Sequence, residues 1–303
     1  MEGASTLSTY LNLKPIEYDK LSAKRKADVK WEGRILLPKY DGCLALVCLW
    51  DGKLDFIISR DGKPVTSMDH IYEDLILRYP WMASTRGGLC VLGEAWIPGT
   101  PFAEISGTYR RKRPQPSLGL AVFDVVEYTY DSADLPVLRD GRPYSERVGT
   151  LQDARAGLCN VFPPLPVLCE GEDHAWRYAN NLKKLVGYDG AIASDPYATY
   201  EVSDGRGEFL KCKPLRSFTL EVVAVETGVG EKTGRATCAL VTRFKQTVCK
   251  VGTGLSEAEQ ANPEQFIGKL VEVTCMDVYP GDDGLMREPR YVGIRDDVTT
   301  PDY

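Results

Sequence analysis

Apolar positions fall into short runs, many alternating with polar ones and separated by glycine or aspartate turns, along most of the chain. The apolar stretch over residues 35–50 reads as one long strand ending at Asp51-Gly52. A second strand over 53–60 ends at Asp61-Gly62, so this segment predicts an antiparallel meander. Apolar residues recur at helical spacing over 67–78, 145–156 and 173–186, and further strands fit 88–97, 119–128, 191–194 and 208–213. Strands and helices without regular βαβ alternation predict the α+β class, with antiparallel sheets.

After Pro214 the pattern shifts to short strands over 218–226, 236–244, 247–251, 270–278 and 290–295, with one helix near 256–266. Some five strands and a helix in roughly ninety residues suit a small Greek-key barrel such as an OB-fold. The glycine-bearing loop at 228–234 is not a phosphate-cradling Walker sequence, because Glu231 precedes Lys232 where glycine is required, and it reads as a hairpin. Two domains are expected, 1–214 with a basic N-terminal segment over 1–33, and 215–303.

Composition narrows the function classes. The 303 residues are 43% hydrophobic and 26% charged, which excludes a disordered or fibrous chain. The net charge of −6 excludes a protein that coats nucleic acid by bulk electrostatics, although residues 14–34 carry seven basic side chains against four acidic ones. His70 and His174 are the two histidines, too few for a His-rich metal centre and scant for Ser-His-Asp chemistry. The nine cysteines form no C-x-x-C pair and read as buried apolar groups of a reducing compartment. The N-terminus has no signal-peptide pattern and no apolar run approaches 18 residues, so a cytosolic protein with no membrane partner is expected.

The chemistry-bearing positions come in order: Lys39-Tyr40-Asp41-Gly42, Ser59-Arg60, Gly93-Glu94, Phe123-Asp124, Asp189-Gly190, Lys211-Cys212-Lys213 and, near the C-terminus, 287–290 with Arg295-Asp296. Each alone has an ordinary reading. Phe123 sits in an apolar strand as a core side chain would, Glu94 and Arg60 pass for surface charges, and Lys211 and Lys213 for a solvated strand face. Together they suit covalent catalysis by a lysine. An amine nucleophile must shed its proton against a free pKa of about 10.4, which nearby cations assist. Lys211 and Lys213, two apart on a strand, bring positive charge to one face, while Asp41, Glu94 and Asp189 supply hard oxygen ligands suited to Mg²⁺.

This order resembles the nucleotidyltransferase motifs of ATP-dependent DNA ligases and mRNA capping enzymes, and the resemblance runs through nearly the whole chain from about residue 35. It implies a nucleotidyltransferase domain followed by an OB-fold barrel, in a compact ligase of the small bacteriophage type. Lys39 would become lysyl-AMP from ATP, with Mg²⁺ or its substitute Mn²⁺, and the AMP would pass to a 5′-phosphate at a nick in duplex DNA. Leu37 and Pro38 would flank the nucleotide, Glu94 contact the ribose, Phe123 stack on adenine, and Lys211 and Lys213 bind phosphate. Arg60 would contact nucleotide or nick, Arg295 would orient pyrophosphate, and Asp41, Asp189 and Glu94 would hold the metal. The run Arg110, Arg111, Lys112 and Arg113 reads as a loop, either a solvated charge run or, with Arg60, a contact to the DNA backbone.

The chain departs from that pattern. Leu37 stands where ligases carry glutamate, Leu44 where they carry arginine, Asp189 where glutamate is usual, Ser194 in place of a lysine, and Asp297 in place of the final lysine. The leading expectation is a monomeric DNA ligase acting on nicked double-stranded DNA. An RNA ligase, a GTP-dependent capping guanylyltransferase and a degenerate nucleic-acid-binding OB protein are the alternatives.

Overall fold

The computed structural model describes residues 15–156, 159–200, 208–229, 236–278 and 285–302. The start of the basic N-terminal segment and most of the loop expected at 228–234 lie outside these residues. The chain divides into two compact units, Met1–Lys213 and Pro214–Tyr303. Among the described residues no helix is long and apolar enough to cross a membrane.

The first unit runs β1 (Ile16–Glu17), α1 (Ala23–Ala27), β2 (Ile35–Tyr40), β3 (Cys43–Trp50), β4 (Lys53–Ser59), α2 (Ile71–Arg78), β5 (Gly88–Trp96), α3 (Phe102–Tyr109) and β6 (Gly119–Tyr130). It continues through β7 (Pro136–Leu138), α4 (Tyr144–Thr150), β8 (Val161–Phe162), β9 (Val167–Leu168), α5 (Glu172–Lys183), β10 (Tyr188–Ser194) and β11 (Phe209–Cys212). One sheet has the order β1-β11-β10-β2-β9 and the other β4-β3-β5-β6-β7, with β8 beside β6. The mixture of helices and mainly antiparallel strands is the α+β class that the hydrophobic pattern predicts.

Each sheet buries one face under helices. Ala175 and Ala179 of α5 pack with Leu36, Ala191 and Ala193 behind the first sheet. Ile71 and Leu75 of α2 and Ile105 of α3 pack with Val47, Val91 and Val125 behind the second. The opposite faces carry two further clusters, one around Leu46, Cys90 and Val126, the other around Ile35, Leu37 and Tyr144, and Phe123 packs against both.

The expected strand over 35–50 is two strands in two sheets. It breaks at Asp41-Gly42, where the chain leaves β2 and enters β3. Gly42 is required there because a Cβ would stand 2.2 Å from the Ala95 carbonyl oxygen and 2.8 Å from Glu94 Cγ. The apolar run hides this break, since Asp-Gly is also common inside simple turns. The pattern also misses α3, whose glycine and β-branched threonine are weak helix formers, and whose burial of Ile105, Ser106 and Thr108 outweighs that propensity. Arg110 to Arg113 follow the end of this helix and lie in a loop, as expected.

The second unit holds β12 (Arg216–Val229), β13 (Ala236–Phe244), β14 (Thr247–Val251), α6 (Glu257–Ala261), β15 (Leu270–Cys275), β16 (Asp277–Val278), β17 (Met286–Arg287) and β18 (Arg290–Ile294). Its main sheet is antiparallel in the order β14-β13-β12-β15-β18. The sheet curls around Leu220, Leu240, Phe266 and Val273, and its two ends approach where Tyr291 N–H donates to the Thr253 carbonyl at 2.9 Å. Helix α6 starts at a capping box, Ser256 accepting from Glu259 N–H while Glu259 accepts from Ser256 N–H.

Candidate active site

The period of two along β2 decides which side chains reach the space between the sheets. Ile35, Leu37 and Lys39 share one face, whereas Leu36 packs against the helix side. Pro38 alternates with them and falls on the face of Leu36. Leu37 lies beside the nucleophile's face but is 3% exposed, packed with Tyr144 and Val148.

Lys39 pairs with Gly190 in the β2–β10 ladder, and its Nζ lies 2.8 Å from Asp189 Oδ2. Lys213 Nζ approaches the same oxygen at 3.1 Å, and Lys183 Nζ approaches Oδ1 at 3.4 Å. Burial pushes the Asp189 carboxyl up, but the charges of Lys39, Lys213 and Lys183 overcome it and hold it at about 2. Lys211, one strand across from Ile192, has its ammonium pushed down, by burial first and then by Lys39 and Lys213. This is a concentrated positive pocket around one ionised carboxylate, suited to a polyanion.

Glu94 comes from β5 of the other sheet, opposite Leu44 and Ala121. Burial raises its carboxyl to about 7 against the pull of Lys39 and Arg60, with Asp41 adding to the rise and Gly42 N–H opposing it. Arg60, just beyond β4, is exposed and contributes to the potential at both Glu94 and Lys211.

Two supports of the site escape the sequence reading. Tyr40, Trp96 and Tyr188 form an aromatic trio with ring centroids 4.9 to 5.4 Å apart, joining β2 and β10 to β5 directly beside the nucleophile. Trp96 Nε1–H donates to the Gly187 carbonyl, as does Asp41 N–H, each at 2.9 Å. Behind Phe123, Arg147 of α4 grips Asp124 with both side chains buried, and Tyr144 O–H donates to the Phe123 carbonyl at 3.0 Å. The sequence places Asp124 in the motif order beside Phe123 but shows nothing of its pairing with Arg147.

Among the described residues no group of three or more His, Cys, Asp or Glu side chains is already gathered as an ion site; Asp189 is engaged by lysines, and Asp41 and Lys39 both act on Glu94. Arg110, Arg111, Lys112 and Arg113 are exposed at the end of α3, which Tyr109 anchors by donating to the Leu44 carbonyl at 2.8 Å. Arg295 belongs to the second unit, where it grips Asp297 through Nε and Nη2 at 2.8 and 2.9 Å. Ser194 is fully buried on β10 near Tyr144, with an Oγ that finds no hydrogen-bond partner.

No family model matches the chain. A "Probable DNA ligase" of Streptomyces griseus is 28% identical over 209 residues, covering 62% of this chain and 40% of that protein. One from Mycobacterium sp. strain KMS is 27% identical over 200 residues, covering 62% and 37%. The chain thus spans about two fifths of the length of the curated relatives it matches. Among solved structures, one described as "Structure-function analysis of Lig E DNA ligases" aligns with a TM-score of 0.66 at 18% identity, over 93% of this chain and all of that one. The structure "Pmar-Lig_PreS3" gives 0.66 at 19%, over 93% and 67%. The fold is that of these ligase structures.

Proposed function

We propose that the chain is an ATP-dependent DNA ligase of the covalent nucleotidyltransferase class, acting as a monomer on nicked duplex DNA in a reducing, cytosolic setting. The observation that carries this reading is Lys39 at the end of β2, where the chain passes from one sheet to the other, against Asp189 and among Lys183, Lys211 and Lys213. The match in fold to ligase structures and in sequence to proteins named as DNA ligases supports it.

In this reading unit one, through Lys213, is the nucleotidyltransferase domain, and unit two is an OB-fold whose curled five-stranded sheet supports that assignment. Lys39 Nζ attacks the α-phosphorus of ATP while Lys211 and Lys213 carry the phosphate charge. Phe123 offers a ring between the apolar clusters for the base, and Glu94 a carboxyl for the ribose. Arg295 orients pyrophosphate, and Arg60 with Arg110 to Arg113 meets the DNA backbone. A divalent cation enters with the triphosphate, as Mg²⁺ is commonly held by phosphates with one or two carboxylates. Asp41, Glu94 and Asp189 are the carboxylates that would meet it.

The test is incubation with ATP labelled at the α-phosphate, followed by sealing of a 5′-phosphorylated DNA nick. Wild type should retain label and seal, and Lys39→Ala should do neither. Label retained from GTP alone would move the reading to a capping guanylyltransferase, and sealing confined to RNA nicks would move it to an RNA ligase.

A further inference from the structure

Asp189 is where lysines from three elements meet. Lys39 at the end of β2 and Lys213 just beyond β11 share Oδ2, while Lys183, the last residue of α5, reaches Oδ1. The side chain of Lys183 is 9% exposed, more enclosed than Lys39 at 22% or Lys213 at 19%. A lysine at a helix end has water within easy reach, and withdrawing it to a buried carboxylate has a desolvation cost that a random surface charge does not bear. Helix α5 is itself fixed against the first sheet through Ala175 and Ala179, so Lys183 extends from a rigid base.

We propose that Lys183 is a positioning residue for the adenylation step: it fixes the Asp189 carboxylate and balances its charge once Lys39 has left the ion pair. The inference rests on the lysyl-AMP reading above. In that step the lone pair of the neutral Lys39 amine forms the N–P bond. The P–O bond to the β-phosphate breaks, its electron pair leaves on pyrophosphate, and the nitrogen releases its surplus proton to water. Lys39 then carries no charge to offer Asp189, whose side chain is 3% exposed. Lys213 is drawn toward phosphate, leaving Lys183 on Oδ1 as the cation that stays with the carboxylate throughout.

The experiment is single-turnover formation of the lysyl-AMP adduct from labelled ATP over a range of ATP concentrations, in wild type, Lys183→Gln and Lys183→Arg. Lys183→Gln should form adduct about tenfold more slowly at saturating ATP while its half-saturating ATP concentration stays the same, because the residue acts once the nucleotide is bound. Lys183→Arg should restore the rate. An unchanged rate in Lys183→Gln, a loss confined to the half-saturating concentration, or an arginine variant no better than glutamine would overturn the proposal. Lys183→Met, which keeps the aliphatic stem, is read in the same way if the glutamine variant fails to fold. Wild type that forms no adduct sinks the ligase reading, whereas wild-type adduct with an unchanged variant rate sinks this inference alone.

Discussion

Arg147 and Asp124 form a two-pronged ion pair with both side chains buried, Nε to Oδ1 at 2.9 Å and Nη2 to Oδ2 at 3.0 Å. Arg147 also donates to the carbonyls of Arg142 and Ala198, and its guanidinium lies over the rings of Tyr144 and Tyr200. One arginine thereby binds α4 and the segment around Ala198 to the strand that carries Phe123. Replacing it with methionine strands a buried carboxylate, and denaturant unfolding should record a loss of about 3–5 kcal/mol. Adding Asp124→Leu should recover part of the loss, but not all of it, because two carbonyls still lack their donor.

Gly42→Ala tests the crossover between sheets. The new methyl meets backbone at Ala95, which cannot swing aside as a side-chain tip would. Thermal melting should show destabilisation of about 1–3 kcal/mol, the usual cost of overpacking. Adduct formation should fall further than this loss of stability explains, because Glu94 and Lys39 flank the displaced link.

Two carboxyls set opposite dependences of stability on pH. Glu94 titrates near 7 in the fold against 4.5 when free, so folding favours its protonated form. Stability should therefore decline as pH rises from about 4.5 to 7, and Glu94→Gln should flatten that slope in denaturant titrations. Asp189 titrates near 2 against 3.8, so its contribution is present above about pH 4 and fades as pH falls toward 2. Asp189→Asn should remove that acid limb and leave the neutral slope untouched.

The exposed run from Arg110 to Arg113 should act through phosphates. Changing all four residues to alanine should weaken binding to nicked DNA evenly across sequences. The slope of log affinity against log salt should shrink by up to about 3–4, at roughly 0.9 for each phosphate left without its cation. An unchanged slope would mark the run as solvated charge.

Much of the site is legible in the sequence because its chemistry rests on fixed local spellings. Lys39 stands two residues before Asp41, Lys211 and Lys213 alternate on one strand, and Asp189 precedes a glycine. Lys183 could not be read in this way: six residues ahead of Asp189, at the end of an amphipathic helix, it has the look of any solvated lysine. Only the packing of α5 against the first sheet turns it inward. Similarly, the run over 35–50 is apolar on both sides of Lys39-Tyr40-Asp41-Gly42, and Asp-Gly marks an ordinary turn as readily as a change of sheet. Spacing likewise shows that the carboxylates exist but not that lysines occupy one of them.

The link at Asp41-Gly42 joins the two sheets like the spine of a book, and the Tyr40, Trp96 and Tyr188 rings clasp the covers at that edge. Rotation of one sheet against the other about this link moves each residue in proportion to its distance from it. At about 3.3 Å per strand residue, a ten-degree opening shifts Lys39 by about 1–2 Å and Trp50, at the far end of β3, by about 5 Å. The reactive amine thus sits close to the axis, where leverage is least. A change of angle between the sheets would therefore displace the nucleophile least.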